Sequence, residues 1–177
     1  MMWYNAKLKV ESDYTMMAEM AEYYRAMLMV GLGDGFYQAF DRALEEENPL
    51  SDLTLSLCTC ISDETEVLHI LREYTLNYAL DEQLVCDLIL KDLRGRYQAG
   101  KITRSEVVEV LYSIVMNLDK FWEEPWHSLT EPSYDLELWV DGLICEDAFN
   151  QCFDAWFFCG KNLDAWKIQR EINAKNR

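Results

Sequence analysis

The chain has 177 residues, of which 32 are acidic and 16 basic, so its formal net charge is −16 at pH 7. Half of the residues are hydrophobic and 13% are aromatic, a composition that supplies a core and excludes a disordered acidic tail. No apolar run approaches the roughly 20 residues that cross a bilayer, and residues 1–10 lack the apolar stretch of a signal peptide. We therefore expect a cytoplasmic protein with a single helical domain over residues 1–177.

The acidic residues are concentrated in two segments. Residues 41–90 contain twelve acidic residues against two arginines, and residues 105–154 contain twelve against Lys120 alone. Residues 91–104 and the last 17 residues are basic instead, with net charges of +4 and +3. Two negative lobes repel nucleic acid and anionic lipid and attract basic proteins. The charge pattern therefore predicts a basic protein partner, with no nucleic acid and no membrane bound.

Helical periodicity dominates the chain, and the predicted fold class is all-α, a compact multi-helix bundle of about eight helices. After a short arm over Trp3–Val10, a first helix capped by Ser12 or Asp13 should run to about Val30. Further helices are expected to begin near residues 36, 50, 62, 81, 103, 134, 146 and 163. The stretch from Asp119 to Ser133, which contains two prolines, is expected to be irregular.

Two of these helix starts carry capping signals. Asp63 with Glu66 forms a D-x-x-E pattern, and Thr103 with Glu106 forms a T-x-x-E capping box. The glycines between 31 and 35 follow no predicted strand, so they indicate a turn and not a nucleotide-binding loop.

Neither the cysteines nor the histidines form a catalytic or metal-binding pattern. Cys145, Cys152 and Cys159 are seven residues apart, so successive sulfurs on one helix would lie about 10 Å apart, too far to share one zinc ion. The six cysteines are interpreted as small buried residues. His69 and His127 have no neighbours that suggest a triad. We therefore predict that the protein is not an enzyme and uses no catalytic residue, no metal, no cofactor and no small-molecule substrate.

Carboxylate pairs three residues apart leave one enzymatic alternative, because such pairs hold Mg²⁺ in some all-α hydrolases. Glu19 and Glu22 form the pair that capping does not explain, and they are expected at the solvent edge of the first helix. A metal-dependent all-α hydrolase is therefore kept as an alternative function.

The segment F-W-E-E-P-W-H, residues 121–127, combines two tryptophans with carboxylates and a proline. Tryptophan beside charged residues on a rigid frame is typical of a binding hot spot. The alternative is that both rings pack the loop onto the body of the protein.

Residues 100–143 resemble the C-terminal halves of small helical immunity proteins, which accompany bacterial contact-dependent growth inhibition and related polymorphic toxins. The resemblance covers about a quarter of the chain and is carried by three segments, which read G-K-I-T-R-S-E-V-V-E-V-L-Y-S-I-V-M-N-L-D, W-E-E-P-W and Y-D-L-E-L-W-V-D-G-L. It implies a cognate toxin domain, often an RNase or DNase, that is bound in the cytoplasm of the producing cell.

The predicted function is therefore that of an immunity protein, which neutralises a cognate basic toxin, such as a nuclease domain, by covering its active site or substrate path. A nucleic-acid mimic that inhibits a host DNA-binding protein is the first alternative. Charge alone selects the predicted contact residues, which are Glu123, Glu124, Glu131, Asp135, Glu137 and Asp141, with Trp122, Trp126 and Trp139 nearby.

Overall fold

The computed structural model describes residues 18–175, and within them the chain forms nine α-helices, one 3₁₀ helix and no strand. The all-α prediction is confirmed. The predicted arm over Trp3–Val10 and the caps Ser12 and Asp13 lie outside the described residues. The helices are α1 (residues 18–29), α2 (Asp34–Glu46), α3 (Asp52–Cys58), α4 (Glu64–Thr75), α5 (Glu82–Gln98), α6 (Arg104–Asn117), the 3₁₀ helix (His127–Thr130), α7 (Glu131–Val140), α8 (Glu146–Cys159) and α9 (Ala165–Lys175).

The contacts divide the chain after Ile89 into two compact units, and the division falls inside α5. The expectation of a single domain over residues 1–177 stays a prediction. Over residues 18–175, none of the helices combines the length and hydropathy of a membrane span.

The first unit is built around aromatic and aliphatic side chains of its four leading helices. Phe36 and Phe40 of α2 stack with their ring centroids 6.4 Å apart, and Tyr24 of α1 meets Phe36 edge to face at 5.8 Å. Leu57 from α3 and Leu71 from α4 complete this cluster, and both are buried. One apolar face per helix is thus enough to hold the four helices together.

The core of the second unit is centred on α8. Phe149, Phe153 and Phe157 recur every four residues, so they share one helix face, and each is at most 1% exposed. Tyr97 of α5 lies 6.0 Å from Phe153 and 6.1 Å from Phe157, measured between ring centroids. Leu111 of α6 is also fully buried.

The capping predictions describe the structure well. The side chain of Asp63 accepts hydrogen bonds from the N–H groups of Thr65 and Glu66. Thr103 and Glu106 form a reciprocal capping box, in which the Glu106 carboxylate accepts the Thr103 N–H at 2.7 Å. These local bonds set the starts of α4 and α6.

The start of α7 differs from the prediction, which placed it near residue 134. The helix begins at Glu131 because Pro132 lies in its first turn. An N–H in the first helical turn has no partner within the helix, so proline costs nothing at that position. The irregular stretch therefore ends earlier than predicted.

The prediction of buried cysteines holds for Cys86 and Cys152 only, since Cys58 and Cys159 are exposed. Cys145 is the residue that precedes α8 and caps it, so it does not continue the helix face of Cys152. Cys159 is the last residue of α8, next to Gly160 with φ 62°, where the chain leaves the core.

Candidate partner-binding surface

The loop between α6 and the 3₁₀ helix is anchored from inside by Trp126. This ring is 1% exposed, and His127 fixes the preceding backbone through Nδ1, which lies 3.0 Å from the Phe121 carbonyl oxygen. The His127 N–H also donates to the Glu123 carbonyl oxygen at 2.8 Å. The predicted contact residue Trp126 therefore belongs to the core, where its side chain is out of reach of a partner.

Trp122, by contrast, is 86% exposed, the largest exposed fraction among the large hydrophobic side chains of the described residues. One side of its ring faces His127, with the centroids 6.4 Å apart and the planes 16° from parallel. Phe121 meets this ring edge to face at 4.7 Å and also contacts His127 at 5.6 Å, measured between ring centroids, so the three rings form one small cluster. An apolar ring is thus presented to solvent in a defined orientation.

Carboxylates surround this ring along the chain. Residues 119–141 contain seven acidic residues against one lysine, and that lysine, Lys120, is paired with Glu123 at 2.5 Å. Glu124 accepts a hydrogen bond from the Ser128 hydroxyl at 2.7 Å, and both glutamates remain exposed. The local field of this loop is therefore negative.

Helix α7 adds a second exposed apolar region. Val140 is 72% exposed and Tyr134 is 59% exposed, while the predicted contact residues Glu131, Glu137 and Asp141 are exposed on or next to the same helix. The charge pattern did not point to these two apolar residues. Their signal was present, because apolar side chains occupy six of the ten positions of α7 and so cannot share one buried face. These exposed residues follow one another along the chain, and we name Trp122, Glu123, Glu124 and the exposed side chains of α7 together the acidic–apolar surface.

Two predicted contact residues are half-buried. The Trp139 ring stacks on Phe149 with the centroids 5.1 Å apart, beside a cleft of about 660 Å³. Asp135 lines a separate cavity of about 210 Å³ with Cys152 and Trp156. These two side chains thus lie further inside than the charge-based prediction assumed.

The environment of Asp135 disfavours its charged form. Burial raises the pKa of Asp135 to about 6, the carboxylate of Asp164 adds to the rise, and a hydrogen bond from the Cys152 thiol opposes it. Burial and the Asp135 charge raise the pKa of Cys152 to about 11, so its thiol stays protonated at neutral pH. A protonated thiol is a poor nucleophile.

Asp135→Asn is expected to remove a pH dependence of stability. Because the folded-state pKa lies above the unfolded one, the stabilising contribution of Asp135 is complete below about pH 4 and is lost as the pH rises through about 6. The variant should be more stable than the parent by roughly 1–2 kcal/mol at pH 7 and no more stable at pH 4. Urea unfolding at both pH values measures the difference. Glu137→Gln on the same helix is the control, and equal pH profiles for the parent and Asp135→Asn would contradict the assignment.

Basic residues of segment 91–104 form ion pairs and hydrogen bonds within the second unit. Arg104 forms a two-pronged ion pair with Asp154, with both N–O distances at 3.0 Å. Arg94 donates to the Phe157 carbonyl oxygen at 2.7 Å, and Arg96 pairs with Asp92 at 2.8 Å. Three of the five cations are therefore engaged by the protein, which favours the salt-bridged interpretation of this segment over a phosphate site.

The carboxylate pair that was considered as a metal site is buried, whereas it was predicted at the solvent edge of the first helix. Glu19 and Glu22 are 1% and 5% exposed, so they are buried and not at the solvent edge of α1. Arg25 neutralises Glu22 through two hydrogen bonds at 2.9 and 2.6 Å, and Glu19 accepts the Asp81 N–H at 2.8 Å. Within residues 18–175, no group of three His, Cys, Asp or Glu side chains could hold a metal ion. Glu22 is thus neutralised by Arg25, whereas Oε2 of Glu19 is buried without a hydrogen-bond partner.

Comparison of the chain with family models, with curated proteins and with solved structures finds no match.

Proposed function

We propose that this chain is an immunity protein that binds a cognate basic toxin domain, such as a nuclease, through the acidic–apolar surface. The observation that carries the proposal is Trp122, an 86% exposed ring held in place within an acidic loop. Tryptophan is among the residues that most often carry the binding energy of an interface.

The two parts of this surface have different roles in the proposed complex. The carboxylates attract the positive cleft with which a nuclease holds the phosphate backbone, and so they speed association. Trp122 enters an apolar depression on the toxin and slows dissociation, as buried aromatic anchors do. Tyr134 and Val140, which are both exposed, extend the apolar contact along α7.

In this proposal the complex forms in the bacterial cytoplasm, where it protects the producing cell of a contact-dependent inhibition system. Carboxylates of the surface stand in for the phosphates of the toxin's substrate. Binding therefore covers the toxin's active site or the path that leads to it, and no chemistry by this chain is needed.

The test is a nuclease assay with the toxin domain that is encoded beside this chain's gene. The parent protein should abolish cleavage at stoichiometric ratio, and Trp122→Ala should weaken binding roughly 30-fold or more, as loss of a hot-spot tryptophan does. The double variant Glu123→Lys/Glu124→Lys should slow association. Its matched control is Glu45→Lys/Glu46→Lys, which makes the same charge change at two adjacent exposed glutamates of α2.

Undiminished cleavage at stoichiometric excess would refute the proposal. Equal loss of binding in both charge-reversal variants, with none in Trp122→Ala, would instead indicate recognition by overall charge, as expected of a nucleic-acid mimic.

A further inference from the structure

Helices α1, α2, α3 and α4 of the first unit leave between them a hollow of about 360 Å³ that is partly open to solvent. Its walls are mostly apolar, and they include Ala21, Tyr24, Phe36, Phe40, Leu57 and Leu71. Four of these belong to helices α1 and α2, where the small side chains Ala39 and Ala43 also leave room.

Because this hollow is partly open to solvent, it is a cleft and not a packing defect of the interior. Its mostly apolar walls offer water few hydrogen-bond partners. Its volume lies in the lower part of the range of ligand sites, about 300–1,000 Å³.

One acidic group is among the residues that line the hollow. Glu47, just beyond the end of α2, is among the lining residues, and its Oε2 accepts the Ser51 N–H at 2.9 Å and the Thr54 hydroxyl at 2.8 Å. Both contacts are made by Oε2, so Oε1 can accept a further donor. Although burial opposes ionisation, the hydrogen bonds from Ser51 and Thr54 hold the pKa of Glu47 below its usual value.

The negative charge of the surrounding residues favours a ligand with a positive charge. Glu45 and Glu46 precede Glu47 directly, and residues 41–90 carry twelve acidic residues against two arginines. A ligand with an anionic head would be repelled here, whereas a cationic head would be attracted.

We propose that this hollow binds a small organic cation, whose aromatic or aliphatic body lies against Phe36 and Phe40 and whose ammonium group donates to Oε1 of Glu47. The size favours a small molecule over a protein segment. At the density of a protein interior the hollow holds on the order of fifteen non-hydrogen atoms, while an α-helix with its side chains is about 10 Å across.

The test compares three probes with the same hydrocarbon and different heads: 4-phenylbutylamine, 4-phenylbutanol and 4-phenylbutyrate. Calorimetric titration of the full chain should show the amine binding roughly five- to tenfold more tightly than the alcohol, as expected for one partly exposed charged hydrogen bond. The carboxylate should bind most weakly. Binding of the amine and the alcohol with equal affinity would overturn the proposed cation preference.

Two variants locate the site. Glu47→Gln keeps the acceptor for Ser51 and Thr54 but removes the charge, so the amine should lose its advantage while the alcohol binds as before. Glu46→Gln is the matched control: it should leave the affinity of the alcohol unchanged and lower that of the amine far less than Glu47→Gln does, because Glu46 lies outside the lining of the hollow. Ala39→Leu should fill the hollow and abolish binding of the amine and the alcohol, with its folding checked by thermal unfolding.

The absence of binding by all three probes would overturn the proposal, since it would mean that the chain itself occupies the hollow. Unchanged affinities in Ala39→Leu would also overturn it, because the probes would then bind elsewhere.

Discussion

Replacement of Trp126 by alanine is expected to lower the free energy of unfolding by about 3–5 kcal/mol, because removal of a large, fully buried ring leaves a cavity that the loop cannot close. Trp126 is 1% exposed and supports the segment that carries Trp122. Urea unfolding followed by circular dichroism measures the loss.

Trp122→Ala is the matched control for this variant, since it removes the same side chain four residues earlier. At 86% exposure the change should cost less than about 1 kcal/mol. The two substitutions thus separate folding from recognition: Trp126→Ala should destabilise the second unit, and Trp122→Ala should leave stability unchanged while weakening partner binding. Equal losses of stability in the two variants would show that the loop is not organised as described.

A loss of similar size is expected for Arg25→Met in the first unit. The Arg25 guanidinium holds both carboxylate oxygens of Glu22, whose side chain is 7% exposed, and the Thr75 hydroxyl donates to the same carboxylate at 3.2 Å. Removal of the cation leaves a buried carboxylate without its counter-ion, which typically costs about 3–5 kcal/mol. Chemical unfolding at neutral pH is the measurement.

The double variant Arg25→Met/Glu22→Gln tests the cause of this loss. If the unpaired charge is responsible, the double variant should recover most of the stability that Arg25→Met loses, because a neutral amide is less costly to bury. A loss under about 1 kcal/mol in the single variant would contradict this, since it would match an exposed ion pair.

Features that depend on neighbouring residues in the chain were predictable. The capping box of Thr103 and Glu106 and the cap at Asp63 are interactions within three residues, so their patterns identify the starts of α6 and α4. The four-residue spacing of Phe149, Phe153 and Phe157 likewise places these rings on one face of α8.

Features that depend on distant residues were not predictable. Glu19 and Glu22 have the spacing of an exposed carboxylate pair, and their burial follows from partners at Asp81 and Thr75, which lie 62 and 53 residues away. No pattern within α1 records those contacts. The hollow of the first unit is likewise a product of four helices meeting, so no single segment indicates it.

The exposure of the predicted contact residues was foreseen in part. Charge selected Glu123, Glu124, Glu131, Glu137 and Asp141, and all five are exposed. Charge could not separate Trp122 from Trp126, because the loop has no helical or strand period to assign one ring inward and the other outward. In the structure Trp126 is 1% exposed and Trp122 is 86% exposed.

The boundary between the two units has a consequence for the gene as well as for the protein. It lies inside α5, so a recombination event or a truncation at Ile89 would leave each half with only eight or nine residues of that helix. Fragments shorter than about 12–15 residues are marginal as isolated helices. The two halves are therefore poor modules for exchange between genes. We expect them to be inherited together as one coding unit.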